Sequence, residues 1–224
     1  MKLSTSKRIS LWLLPPEPLI TTLTNQQAEI IANHPKDRLP RFVPHITLIG
    51  GVPISECCSI EEIIQQNRQS DIDEQAAQIV LQRLQLAFQS HGGITCSFVK
   101  LRGVFAARVD DHGTGEGTVQ WNQSCISLVE RNSSFMRAME VAEEALFSSS
   151  TTYNKEQLSI ERHFKAPLFE PHYSFVYGND PHLIPSSLEC PPSFTSTEMV
   201  VIWTYPSSLG GVGNWREIGR IDIS

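Results

Sequence analysis

Two short stretches of this chain share one arrangement of polar and apolar residues. Residues 44–50 read PHITLIG and residues 171–178 read PHYSFVYG. In each stretch a histidine follows a proline and precedes a spacer, a hydroxyl-bearing residue and two apolar residues. Because side chains alternate along a β-strand, the histidine and the hydroxyl lie on one face of it. The pattern predicts two strands that each display an imidazole beside a hydroxyl. The two polar pairs are His45 with Thr47 and His172 with Ser174.

The residues between these polar positions predict where the core lies. Ile46, Leu48, Tyr173 and Phe175 point to the opposite face of their strands, which we expect to be buried. One such strand alone is most simply a half-buried strand with an incidental histidine. Since proline accounts for about one residue in twenty, a second match among only seven histidines is not expected by chance. The repetition therefore favours a joint function for the two pairs.

The remaining pattern predicts the fold class. Amphipathic spacing and proline or glycine boundaries indicate helices at 18–33, 60–67, 72–90 and 134–147. Apolar and β-branched runs indicate strands at 8–14, 42–50, 94–107, 118–130, 170–178, 194–205 and 215–223. Turns or loops are predicted at 110–117, 148–152 and 181–192. The elements mix without a strict βαβ repeat, so we predict an α+β fold. The two histidine strands fall in opposite halves of the chain, which indicates two similar lobes facing each other.

Composition and charge limit the classes of partner. The 224 residues, 40% hydrophobic and 19% charged, fit one globular unit over 1–224. The net charge of −6 argues against extended nucleic-acid binding, which needs many phosphate contacts from Lys and Arg. It is compatible with a small phosphorylated ligand in one pocket. We expect a monomer.

The N-terminus and the cysteines indicate a cytoplasmic protein. The apolar run at 9–14 is too short for a signal peptide, and nothing approaches the roughly 20 apolar residues of a membrane span. We therefore expect no membrane association. The five cysteines are odd in number and lack CxxC spacing, which favours reduced thiols.

Three kinds of chemistry use paired histidines and hydroxyls. Zinc needs three or four ligands at recognisable spacing, and neither HExxH nor CxxC is present. A Ser-His-Asp hydrolase of the GxSxG type is also not indicated. Acid–base chemistry on a phosphodiester fits best. One imidazole removes a proton from water, the other protonates the leaving oxygen, and the hydroxyls donate to the phosphate. No metal or other cofactor is required.

At these residues the chain resembles the two-histidine phosphoesterase superfamily, and within it the cyclic phosphodiesterases of the plant and yeast type. The segments that carry the resemblance are SLWLLPPE, FVPHITLIG, FEPHYSFVYG and NWREIGRIDI. The resemblance implies two antiparallel-sheet lobes with pseudo-twofold symmetry and one motif per lobe facing a central cleft. It also implies a small cyclic nucleotide as substrate. Such enzymes open nucleoside 2′,3′-cyclic phosphates to 2′-phosphates and ADP-ribose 1″,2″-cyclic phosphate to ADP-ribose 1″-phosphate.

The resemblance also implies residue roles. His172 would activate water, His45 would protonate the leaving oxygen, and Thr47 and Ser174 would hold the phosphate. Tyr177 matches a tyrosine that assists phosphate binding, but strict alternation turns it away from Ser174 unless the strand twists or bulges before Gly178. Trp12 matches an aromatic residue of the first strand, which either lines the substrate pocket or packs in the core.

The chain departs from the family pattern in ways that concern the substrate more than the chemistry. Tyr173 is bulkier than the usual spacer, and insertions are expected at 57–80, 108–117 and 148–165. An enzyme that processes or joins RNA ends is an alternative, which predicts basic residues along the cleft. A nucleotide-binding protein without turnover is another.

Overall fold

The computed structural model describes residue 3 and residues 7–36, 39–65, 71–105, 122–147, 171–178, 188–204 and 209–224. The predicted turn at 110–117, the predicted linker at 148–152 and most of the predicted loop at 181–192 lie outside these ranges.

The strands form one seven-stranded antiparallel sheet and one two-stranded sheet. The strands are β1 Arg8–Leu13, β2 Ile46–Pro53, β3 Ile94–Cys96, β4 Phe98–Phe105, β5 Asn122–Val129, β6 His172–Val176, β7 Phe194–Ser196, β8 Glu198–Trp203 and β9 Arg216–Asp222. The large sheet has the order β4-β5-β6-β2-β1-β8-β9, and β3 pairs with β7 in the small one.

Helices cover one side of the large sheet. They are α1 Leu19–Asn33, α2 Ile54–Cys57, α3 Ile60–Gln65, α4 Ile72–Phe88 and α5 Ser133–Phe147, and a 3₁₀ helix spans Leu209–Asn214. The start of α4 is capped by Asp71, whose side chain accepts a hydrogen bond of 2.9 Å from the amide of Asp73. Its apolar stripe, which includes Ala76, Val80 and Leu84, is buried. The predicted α+β class is confirmed, whereas the short helix α2 was not predicted.

The large sheet has two halves that meet between the two motif strands. One half is β4-β5-β6 and the other is β2-β1-β8-β9. The strands β2 and β6 are joined by one pair, Ile46 with Tyr173. Each half thus contributes one motif strand, and the two lobes predicted from the sequence are joined as neighbours within a continuous sheet.

Two predicted strands are each divided by a bend. The run at 94–107 is interrupted at Ser97 and the run at 194–205 at Thr197, so each supplies one strand to the small sheet and one to the large sheet. The carbonyl of Ser97 accepts from the amide of Glu130 at 2.8 Å, and that of Thr197 accepts from Ile223 at 2.9 Å. These bonds tie both bends to neighbouring strand ends, which a pattern of local hydrophobicity does not reveal.

The predicted core face is confirmed. Ile46, Leu48, Tyr173 and Phe175 are fully buried and belong to the main hydrophobic core. A second, smaller cluster of Trp12, Leu14, Val200 and Ile202, with Trp215 packed against it, is separate from that core. None of the described helices has the length and apolar character needed to cross a membrane.

Candidate active site

The pair Ile46–Tyr173 brings the two motifs together on one face of the sheet. The strands run antiparallel, so His45 lies opposite Ser174 and Thr47 lies opposite His172 on the two sides of this pair. Residues opposite each other in a sheet share a face, and so do residues two apart in one strand. All four polar residues therefore occupy one face, and each imidazole is next to the hydroxyl of the other motif.

The strand β1 places Trp12 beside the first motif. Trp12 is the register partner of Thr47, and Leu11 is the partner of Ile49, so β2 contains one extra residue at Leu48. This bulge lets Leu48 and Ile49 both face the core while Thr47 stays on the motif face. Trp12 and Thr47 are thus neighbours on that face.

His45 is held by contacts on several sides. Its Nδ1 lies 2.7 Å from the carbonyl oxygen of Val43, and because a carbonyl only accepts, Nδ1 carries the hydrogen. The indole of Trp12 stacks flat on the imidazole, with ring centroids 3.6 Å apart and planes 11° apart. The ring of Phe42 approaches edge-on at 5.7 Å. These contacts fix the tautomer and the plane of the ring.

Burial keeps His45 neutral. Only 1% of the residue is exposed. Desolvation lowers the pKa of His45 to about 3, against an opposing contribution from the Val43 hydrogen bond, and the charge of nearby His172 lowers it further. No described residue forms a hydrogen bond with Nε2. At neutral pH the ring therefore has Nδ1 occupied and an available lone pair on Nε2.

The second motif is equally shielded from water. His172 is 7% exposed and Ser174 is 1% exposed. The Ser174 Oγ is buried without a hydrogen-bond partner of ordinary geometry in the part of the chain described. A buried hydroxyl without a partner is costly and unusual.

Tyr177 reaches the same face because β6 contains a bulge. Cys125 pairs with Val176, and the next residue of β5, Ile126, pairs with Ser174, so Phe175 is an extra residue in β6. The bulge resets the alternation, which turns Tyr177 to the side of Ser174. Burial raises the pKa of Tyr177 to about 12, and the nearby hydroxyl of Ser174 opposes that rise. The strand therefore contains the bulge that Tyr177 needs in order to lie on the same face as Ser174.

Three residues of this region were not singled out from the sequence. Phe42 contacts Tyr177, with ring centroids 4.4 Å apart, and Trp215 lies 5.6 Å from Trp12 and 6.3 Å from Tyr177. Gln27 is buried in α1, where its Nε2 donates to the carbonyl of Phe175 at 3.1 Å. Its Oε1 accepts from the amide of Phe42 at 3.4 Å.

Gln27 therefore connects the bulge of the second motif strand to the segment that precedes the first. The sequence carries one signal for it, a polar residue at an otherwise apolar position of the helix, between Leu23 and Ile30. The contacts of Phe42 with Tyr177 and of Trp215 with Trp12 and Tyr177 carry no such signal, because they join segments that are far apart in the chain.

Among the described residues, no cluster of three or more His, Cys, Asp or Glu side chains has a geometry that could hold a metal ion. The two histidines are therefore not accompanied there by the carboxylates or thiolates that would complete a zinc site.

Comparisons with known proteins concern the fold. No family model and no curated protein matches this chain in sequence. Among solved structures, TT0787 of Thermus thermophilus aligns over 96% of this chain and 97% of its own, with a TM-score of 0.50 and 12% identity. The two proteins share a fold.

Two weaker likenesses cover most of both chains. Escherichia coli LigT complexed with 3′-AMP has a TM-score of 0.47 and 14% identity over 97% of this chain and 98% of LigT. Kluyveromyces marxianus Usb1 with uridine monophosphate has a TM-score of 0.42 and 8% identity over 88% of this chain and 93% of Usb1. At such identities a likeness concerns architecture alone, so membership of the cyclic phosphodiesterase group stays a prediction from the motifs.

Proposed function

We propose that this protein hydrolyses cyclic phosphodiesters of small nucleotides by paired-histidine acid–base catalysis without a metal ion. The observation that supports this most is the antiparallel register of β2 and β6 around the pair Ile46–Tyr173. It sets two imidazoles diagonally across the motif face, about 7–8 Å apart at the backbone. A phosphate group between them has one imidazole on either side and a hydroxyl from each motif within reach.

The reaction needs one proton acceptor and one proton donor. A water molecule loses a proton to one imidazole as its oxygen attacks phosphorus. The bond from phosphorus to one ribose oxygen breaks, and the second imidazole gives its proton to that oxygen. The products are a phosphomonoester and a free hydroxyl, and a later proton exchange with solvent restores both rings. Thr47 and Ser174 donate hydrogen bonds to the non-bridging oxygens as negative charge develops on them.

The burial of His45 bears on which ring takes which role. The resemblance implied that His45 donates the proton and His172 accepts it. With a pKa of about 3, His45 holds a proton at neutral pH only as a minor species. Its Nδ1–H donates to Val43, so the neutral ring offers Nε2 as an acceptor. We therefore assign the acceptor role to His45 and the donor role to His172, the reverse of the assignment from the resemblance.

The substrates that we propose are nucleoside 2′,3′-cyclic phosphates and ADP-ribose 1″,2″-cyclic phosphate. The products would be the 2′-phosphate and ADP-ribose 1″-phosphate. The net charge of −6 supports a small ligand over a long nucleic acid. The aromatic rings of Phe42 and Trp215, both half-buried, border the polar residues and suit a ligand that carries a planar base.

The test is product analysis with a panel of cyclic phosphates in the presence of a chelator. We expect each active substrate to yield a phosphomonoester at an undiminished rate after chelation. Binding without product release would instead support a nucleotide-binding protein without turnover. Activity lost on chelation and restored by a divalent cation would contradict the metal-independent mechanism.

The panel also includes an RNA oligonucleotide that ends in a 2′,3′-cyclic phosphate. Preference for that oligonucleotide over the mononucleotide would favour an RNA-end enzyme over the function proposed here. His91→Ala is the matched control for the histidine variants, because His91 lies beyond the end of α4 and its Nδ1 is 3.0 Å from the carbonyl of Gly92. We expect this variant to retain wild-type activity.

A further inference from the structure

We propose that Trp12 is a positioning residue for His45. The indole of Trp12 fixes the plane of the His45 imidazole and shields that ring from water. This inference rests on the proposed function in so far as His45 transfers a proton in that reaction. It differs from the role that the resemblance offered, in which Trp12 lines the substrate pocket.

Trp12 has no free face for a substrate. Its exposure is only 5%, and one face of the indole is covered by the imidazole of His45 at 3.6 Å. Trp215 leans against it at 5.6 Å with an angle of 57° between the planes. The apolar cluster with Val200 and Ile202 packs around the rest. A nucleobase could stack on this indole only by displacing His45 or the cluster.

The stack supplies a constraint that the hydrogen bond of His45 cannot. The torsion that rotates a histidine ring is broad, so a single hydrogen bond at Nδ1 leaves the ring free to tilt about that contact. A flat indole at van der Waals distance removes the tilt, because any rotation of the imidazole out of the parallel plane produces a clash or a gap. Phe42, which meets the ring edge-on, limits motion from another side.

The sheet register explains why Trp12 holds this position. Trp12 is paired with Thr47 on one side and with Val200 of β8 on the other, in the middle of the large sheet. Because β1 is paired with β2 on one side and with β8 on the other, the backbone of Trp12 is held in place by both strands. The imidazole packs against a group that the sheet itself keeps in place.

The charged side chains on this face of β1 and β8 do not shift the pKa of His45. The positions on this face of the two strands and the residues that follow them are Arg8, Ser10, Trp12, Leu14, Glu198, Val200, Ile202 and Thr204. Arg8 donates to the carbonyl of Gly51 at 2.7 Å and Glu198 pairs with Arg220 at 2.8 Å, and neither contributes to the pKa of His45. Among the described residues, His172 is the charged group whose electrostatic effect reaches His45. The phenol of Tyr177, neutral at physiological pH, approaches through Phe42. Loss of the indole would therefore act on His45 mainly by admitting water.

The experiment follows the titration of His45 itself. The Cε1–H signal of His45 is assigned by its absence from the spectrum of His45→Gln and is followed with pH in the wild type, Trp12→Phe, Trp12→Leu and Trp12→Ala. We expect the midpoint to rise in Trp12→Ala by about one pH unit or more, because water then solvates the imidazolium. Trp12→Phe, which keeps an aromatic face against the ring, should shift it least, and Trp12→Leu should lie between.

The matched control is Trp203→Phe. Trp203 is as buried as Trp12, at 5%, but its position in β8 alternates with that of Ile202 and places it on the opposite face of the sheet. We expect this variant to leave the midpoint of His45 unchanged. If Trp12→Ala does not fold, Trp12→Leu retains apolar bulk and must still shift the midpoint beyond the control.

Kinetics supply the second readout. We expect kcat to fall at least tenfold in Trp12→Ala while KM changes less, and Trp12→Phe to recover most of kcat. A folded Trp12→Ala or Trp12→Leu protein with an unchanged His45 midpoint would overturn the proposal. Because the titration needs no turnover, a wild type that hydrolyses none of the cyclic phosphates would contradict the proposed function and leave the role of Trp12 to be decided by the spectra.

Discussion

Ile46 and Tyr173 form the pair that joins the two halves of the large sheet. Both side chains are fully buried in the main core, so the spacer residue of each motif is also the point at which the motif strands meet. This pair determines that His45 faces Ser174 and that Thr47 faces His172. A shift of one residue in this register would turn the histidine and hydroxyl of one motif strand away from those of the other and towards the core.

Replacement of either histidine tests the paired mechanism. We expect His45→Ala and His172→Ala each to lower kcat by about 10²–10⁴-fold or more, since each removes one proton-transfer group. Thr47→Ala and Ser174→Ala should each lower kcat by a smaller factor, because the remaining hydroxyl still binds the phosphate. Steady-state assays on one cyclic nucleotide measure all four, with His91→Ala as the control. A full rate in either histidine variant would rule out the pairing.

The pH dependence of kcat/KM follows from the burial of His45. The pKa of this residue is lowered to about 3, so we expect His45 to cause no loss of kcat/KM between pH 7 and pH 5. We expect kcat/KM to fall on the alkaline side instead, as the imidazole of His172 loses the proton that it donates in the reaction. An acid limb of kcat/KM centred near pH 6.5 in the wild type would contradict this environment for His45.

The shape of that profile does not distinguish which ring is the acid, because both assignments require one proton on the pair. Spectra of the complex with a nucleoside 2′-phosphate do distinguish them. We expect His45 to remain neutral and His172 to be protonated in that complex. The opposite pattern would restore the assignment implied by the resemblance.

The same shift in pKa predicts a loss of stability in mild acid. A buried neutral histidine is charged more readily in the unfolded chain, so protonation favours unfolding as the pH falls below about 6.5. The loss continues down to the folded pKa of about 3. We expect the protonation equilibrium of His45 to lower the free energy of unfolding by about 2 kcal/mol between pH 7 and pH 5. Denaturant unfolding of the wild type and His45→Gln at both pH values measures it, and an equal change in both proteins would refute it.

Gln27→Leu tests the connection between the two motif strands. This substitution removes the hydrogen bonds to the carbonyl of Phe175 and the amide of Phe42. We expect a loss of about 1–3 kcal/mol in the free energy of unfolding, because the Phe175 carbonyl lies in the core without its donor. We also expect a lower kcat. Asn25→Leu, at an exposed position of the same helix, is the control, and equal effects in the two variants would count against the connection.

Much of this fold follows from local pattern. Strand alternation predicted that the apolar residues Ile46, Leu48, Tyr173 and Phe175 are buried, and the apolar spacing of α4 predicted its buried face. The beginning of β2 was placed too early, at 42, since Pro44 and Pro40 precede it and proline provides no amide for a ladder. The division of two long strands at Ser97 and Thr197 was also missed, because both bends are held by hydrogen bonds to remote strands.

The four motif residues could be predicted because they recur in a repeated frame. The contacts that surround them could not. The stack of Trp12 on His45 depends on the register between β1 and β2, including the bulge at Leu48. The approach of Tyr177 to Ser174 depends on the bulge at Phe175. Bulges change which residues share a face, and nothing in the local composition marks where they occur.

The proposed function is tested most directly by the fate of the phosphate in water enriched in ¹⁸O. The protein is incubated with a nucleoside 2′,3′-cyclic phosphate and chelator, and the product is identified by ³¹P NMR. Attack of water on phosphorus between His45 and His172 predicts a 2′-phosphate that carries one ¹⁸O atom. Recovery of the cyclic phosphate unchanged, at protein concentrations that bind it, would contradict the account.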